Sequence, residues 1–137
     1  MNKILVDTNV LIYLVDEDSQ FFKPARNLIS DTSLNPYTTS KNLSEFLAVM
    51  TRIPKNSLSI NDALTVIKEF NTVFNILYPT KASCDILMDL LKTYQPAGLQ
   101  IHDFEIAGIG LANGINRIAT FNRKDFIRIS EIDLYPL

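Results

Sequence analysis

Ile4-Leu5-Val6-Asp7-Thr8-Asn9 runs three apolar, strand-favouring residues into a carboxylate and then into two residues suited to starting a helix. Such a short unbroken apolar run fits a strand buried on both faces, as in parallel sheets. Thr8 or Asn9 is placed to cap a helix carrying Val10, Leu11, Ile12 and Leu14. Chemistry in open α/β sheets gathers beyond the carboxyl ends of strands. Asp7 is therefore either a helix-capping acid or the first member of a site, and its position alone leaves both readings open.

Working outward, the chain alternates strand and helix signals. Asp16 to Ser19 is a polar break, and Pro24 suits the first turn of a helix running to about Ser30. Asn35-Pro36 punctuates, followed by a strand candidate at Tyr37-Thr38-Thr39. Leu43, Phe46, Leu47 and Met50 keep helical spacing until Pro54. Ser59 with Asp62 resembles a capping box ahead of Ala63 to Phe70. Val73 to Tyr78 reads as a strand, and Thr80 caps a helix with Cys84, Leu87, Met88 and Leu91 inward. A small-residue helix follows from about His102 to Asn113, stopped by Gly114. Arg117 to Thr120 is a strand, and Ile132 to Leu134 a last edge strand. This order predicts an α/β fold with three α/β/α layers around a short, mostly parallel sheet of four to five strands, as one domain over residues 1–137.

Bulk properties narrow the classes. Apolar residues make up 47% of the 137, charged residues 20%, with no low-complexity tract. The longest apolar stretch, Val10 to Val15, is too short to span a bilayer, so no membrane partner is expected. Met1-Asn2-Lys3 leads straight into the first strand, leaving no room for a signal peptide. Cys84 is the only cysteine, which excludes an intrachain disulfide and makes the cytoplasm the natural compartment. A net charge of −2 argues against broad affinity for nucleic acid. Yet Arg117, Arg123, Lys124 and Arg128 crowd one segment, either as a solvated surface or as a substrate-binding rim.

Four carboxylates stand at strand ends or helix starts: Asp7, Glu45, Asp103 and Asp125. A parallel sheet would gather all four at one edge as an acidic pocket. Each also has a plain structural use. Asp7 and Asp103 suit helix starts, Glu45 lies away from its helix's apolar stripe, and Asp125 suits a loop. His102 neighbours Asp103, but adjacent helical residues diverge by about 100°, favouring a packing or hydrogen-bonding role. Cys84 reads as core, and Tyr13 with Phe21-Phe22 as core or as a partner-facing patch.

These residues resemble a known family. Ile4 to Tyr13, Ser44-Glu45-Phe46, His102 to Ala107 and Ala119 to Phe126 are similar, in order and spacing, to the PIN domains, metal-dependent nucleases. The likeness is greatest to the toxin of VapBC-type toxin–antitoxin pairs. The resemblance implies metal-binding carboxylates at Asp7, Asp103 and Glu45, with Asp125 as the remaining catalytic acid. It implies Thr8, Asn9, Thr120 and Asn122 as polar support. Where many members carry an acid two residues after the threonine, this chain has Asn122, which brings no charge.

The implied activity is an endoribonuclease using Mg²⁺ or Mn²⁺, with an RNA substrate, a small antitoxin partner and homodimerisation. Mg²⁺ prefers carboxylate oxygen and water. Ion-assisted phosphodiester hydrolysis needs no His, Cys or Ser nucleophile, which suits a chain with one histidine. Haloacid-dehalogenase-like hydrolases need an acid where Asn9 stands, and receiver domains need an acidic pair near the first strand; neither pattern occurs. The alternative of another class is a non-catalytic PIN-like module that binds protein or RNA.

Overall fold

The computed structural model describes residues 2–137; Met1, the first residue of the predicted leaderless start, lies outside them. Five strands form the central sheet: β1 (Asn2–Val6), β2 (Leu34–Thr39), β3 (Asn75–Leu77), β4 (Arg117–Ala119) and β5 (Asp133–Leu134). Their order is β3-β2-β1-β4-β5, and every pairing is parallel. The chain builds outward from β1 to one edge, then returns to β1's other side with β4. The sheet therefore reverses its winding between β1 and β4, where open α/β sheets leave a crevice at their carboxyl edge. Asp7 and Thr120 are the residues that follow those two strands.

Six helices cover the sheet: α1 (Thr8–Tyr13), α2 (Phe22–Ser30), α3 (Ser40–Met50), α4 (Ile60–Val73), α5 (Lys81–Tyr94) and α6 (Gln100–Ala112). Side chains alternate across β1, as the strand period requires. Ile4 and Val6 join Val10, Leu11, Phe46 and Phe70 in one core, while Leu5 joins Phe104, Ile106, Ile118 and Phe126 in the other. Both faces of β1 are thus buried, which is why its sequence is apolar without alternation. α6 is buried along most of its length, and its small residues let neighbours close in. A Cβ at Gly110 would meet the Ile115 carbonyl oxygen at 3.1 Å, and one at Gly108 the Ser83 carbonyl oxygen at 3.2 Å.

The structure corrects several local expectations. β2 runs through Pro36 instead of starting after it. β3 pairs only from Tyr37 onward, and the Pro36 carbonyl faces the Asn75 amide at 3.5 Å, so no strand demands the missing N–H on that side. The strand expected over Val73 to Tyr78 shrinks to three residues because α4 extends through Val73. On α5 the buried arc is centred one residue earlier than predicted, at Ser83 and Leu90. Gly108, with no Cβ, lets the Ser83 backbone come close, and Cys84, about 100° round the helix, is exposed, not core. No helix among the described residues is long and apolar enough to cross a membrane.

Candidate active site

Asp7 itself, not Thr8 or Asn9, caps α1. Its Oδ1 accepts from the Thr8 backbone N–H at 2.9 Å. Its Oδ2 accepts from the Thr120 hydroxyl at 2.9 Å, and Asn9 and Asn42 amides approach at 3.3 and 3.4 Å. The network also fixes proton positions. Thr120 Oγ1 accepts from the Asn9 amide and the Asn122 backbone N–H, both at 3.0 Å, so its own proton goes to Asp7. Asn9 Oδ1 accepts from the Phe121 N–H at 3.0 Å, which turns the Asn9 amide nitrogen toward Thr120. The strand-end motif and the β4 end are thereby stitched together around one carboxylate.

The link to α3 runs through Asn42, which the sequence reading missed. It is completely buried, and its Oδ1 accepts from the Thr39 hydroxyl at 2.6 Å and the Thr39 N–H at 3.3 Å. Its amide donates to Thr8 Oγ1 at 2.9 Å, and Thr8 in turn donates to Glu45 Oε2 at 3.1 Å. The signal was present as a capping-box spacing, Thr39 with Asn42 three residues later. Asn42→Ala should destabilise the fold by about 2–3 kcal/mol, since it strands buried donors on Thr39. Denaturant unfolding of the variant checks this.

Glu45 lies on the exposed side of α3, as its periodicity implied, but that side is a wall of a cleft of about 500 Å³. The cleft is lined by Glu45, Lys41 and Ser44 from α3, by Gln100, His102 and Asp103 from α6, and by Asp125. His102 is exposed at this lining instead of packed or hydrogen-bonded as expected. Asp125 sits in a one-turn 3-10 helix (Arg123–Asp125) and accepts from the Asn122 side-chain amide. Asp7 lies beneath, tied to the wall through Thr8 and Glu45.

Burial pushes the Asp7 carboxyl up to about 6, against the hydrogen bonds from Thr120 and Thr8, with the Glu45 and Asp125 charges adding to the rise. Asp103 is half-buried and has no hydrogen bond to offset the desolvation. Burial first, then the charges of Asp125, Asp7 and Glu45, lift it to about 7. Four acids from distant segments therefore act on one another across one cleft. Among the described residues, no three His, Cys, Asp or Glu side chains are drawn together as a ready-made metal centre. Glu45, Asp103 and Asp125 line the cleft, and Asp7 lies outside its lining, joined to it through Thr8 and Glu45.

Of the basic segment, Arg128 alone bonds to a residue of this cleft's lining. Arg117 starts β4, at the opposite end of the strand from Thr120, and stacks over the Tyr135 ring at 5.0 Å. Arg123 also turns to Tyr135, donating to its carbonyl at 3.4 Å. Arg128 lies over Phe104 at 5.3 Å and reaches Gln100 at 3.4 Å, beside the cleft's edge, and Lys124 is exposed. Tyr13, Phe21 and Phe121 form a partly buried aromatic cluster with centroids 4.8–5.4 Å apart.

The sequence matches the family model described as PIN domain over residues 4–132. No curated protein matches it significantly. Among solved structures, the fold is similar to VapBC2 of Rickettsia felis, bound to a promoter DNA fragment, at 18% identity and a TM-score of 0.72, covering 97% of each chain. It is similar to DNA-bound VapBC of Salmonella typhimurium at 24% identity and TM-score 0.68, covering 98% of each. VapC20 of Mycobacterium tuberculosis, a sarcin–ricin-loop-cleaving toxin, aligns at 15% identity and TM-score 0.71, covering 90% of this chain and 93% of that one.

Proposed function

The chain belongs to the PIN-domain family, and from that premise we propose that it is a divalent-metal-dependent endoribonuclease, the toxin of a type II toxin–antitoxin pair. The observation that carries this reading is the convergence of Glu45, Asp103 and Asp125 on one cleft at the carboxyl edge of the sheet, with Asp7 tied to it through Thr8 and Glu45. The donor set fits a hard cation, being carboxylate oxygen throughout. The ion pairs among the described residues engage Glu105 and Asp85, and none is made to these four acids. Asp7, Asp103 and Glu45 would hold Mg²⁺ or Mn²⁺. When bound, such an ion supplies Lewis acidity toward a phosphoryl oxygen and acidifies water.

The chain's own residues do the rest. Thr8, Thr120, Asn9 and Asn42 hold both Asp7 oxygens in one orientation before any ligand arrives. Asp125, which accepts from the Asn122 amide, would take the proton of an attacking water. An RNA substrate is favoured by the sarcin–ricin-loop cleavage in the name of VapC20, and an antitoxin partner by the VapBC complexes. An antitoxin peptide would lay apolar side chains over the cleft and bring an Arg to the acids. A homodimer completes the proposed assembly.

The test is incubation of purified protein with structured RNAs, and with DNA of matched sequence, in Mg²⁺, Mn²⁺ or EDTA. Metal-dependent cutting of RNA is expected, lost in Asp7→Asn. Metal-independent cutting, or equal activity in the variant, would overturn the mechanism. A protein that binds RNA but never cuts it would be the non-catalytic module to which the uncharged Asn122 points.

A further inference from the structure

Resting on that nuclease reading, we propose that Lys41 is the residue that grips the substrate's phosphodiester backbone, held by Glu105 until substrate draws it away. Among the residues lining the cleft, Lys41 is the one lysine or arginine, in the same lining as Glu45, Asp103 and Asp125. A polyanion entering an acidic cleft gains from a positive group on its wall; Arg117 and Arg123 turn to Tyr135, and Arg128 reaches only the cleft's edge at Gln100. No Phe, Tyr or Trp ring lines the cleft, and His102 supplies its one aromatic group, so the contacts the cleft offers lean toward the backbone rather than the bases.

Lys41 is not a spent charge. Its ammonium pairs with Glu105 Oε1 at 3.3 Å, and the lysine side chain keeps 40% of its surface in water. A partly exposed pair of this kind is weak and salt-screened. The pair also spans from α3 to α6, the two helices that wall the cleft. A phosphate on the cleft side therefore competes with Glu105 for the same ammonium. Opposite signs follow for the two partners: removing Lys41 should weaken RNA binding, and neutralising Glu105 should strengthen it.

The experiment measures binding of a labelled single-stranded RNA by fluorescence anisotropy in Mg²⁺, using an Asp103→Asn background so that nothing is cut. Steady-state cleavage is followed in the wild-type background. Lys41→Met should raise Kd and KM about five- to tenfold, leave kcat within about twofold, and flatten the salt slope by about 0.7. Lys41→Arg should restore most of the binding, and Glu105→Gln should tighten it about two- to threefold. Unchanged Kd and salt slope in Lys41→Met, or weaker binding in Glu105→Gln, would overturn the assignment. A merely structural ion pair would give weaker binding in both variants. Should wild-type protein neither bind nor cut RNA with any metal, the nuclease reading itself falls; an active enzyme indifferent to Lys41 sinks this inference alone.

Discussion

Asp103→Asn is expected to abolish cleavage, by on the order of 10³-fold or more, while making the metal-free protein more stable near pH 8. The two effects share one cause. Asp103 is half-buried among three other acids and receives no hydrogen bond, so its charge is a cost that folding must bear. Asparagine keeps the shape and removes the charge. Asp7→Asn should be as damaging to activity but not as kind to stability. The new amide would face the Asn9 amide and a Thr120 hydroxyl that already accepts two bonds. Side-by-side kinetics and urea unfolding in EDTA check both. Loss of stability in Asp103→Asn would recast that residue as a structural helix-start acid.

The metal-free protein should lose about 2–3 kcal/mol of stability between pH 5 and pH 8, or about 10 °C in Tm. The sign follows from which state holds protons. Asp7 at about 6 and Asp103 at about 7 stay protonated in the fold where the unfolded chain, with an ordinary aspartate near 3.8, has already released them. Stability therefore falls as pH rises from about 4 to about 7 and levels off above. Asp7, which is buried, supplies about half of the effect, and the contribution from Asp103, discounted for its half exposure, supplies the rest. Saturating Mn²⁺ should restore the loss at pH 8, since an ion bound only by the folded form stabilises it by mass action. Thermal melts across pH, with and without Mn²⁺, measure this; a flat profile in EDTA would contradict it.

Much of the fold was legible because its strongest signals are local. β1 announces itself through an apolar run ending at a carboxylate, and α3 and α6 through their spacing and composition. The four acids could be placed at one edge because parallel topology puts every strand's carboxyl end on the same side. What failed was decided by neighbours. Cys84 is exposed because α5 lays its backbone at Ser83 and Leu87 against Gly108, a residue far away in sequence. Pro36 stays in β2 because β3 is too short to need its N–H. Clustered arginines near the C-terminus looked like a rim, yet the tail's Tyr135 attracts two of them. Asn42 and Lys41 were passed over because one polar helix residue resembles another until its partners are seen.

The most direct test is calorimetric titration of Mn²⁺ into metal-free protein at pH 7 in two buffers of different ionisation enthalpy. Saturable binding with proton release is predicted, because an arriving cation must displace the proton that Asp103, at about 7, still half retains at this pH, with a smaller share from Asp7 at about 6. Both the binding and the released protons should diminish sharply in Asp7→Asn and Asp103→Asn. Absence of saturable binding in the wild type, or binding untouched by both substitutions, would contradict the claim that these acids form one cation-holding site.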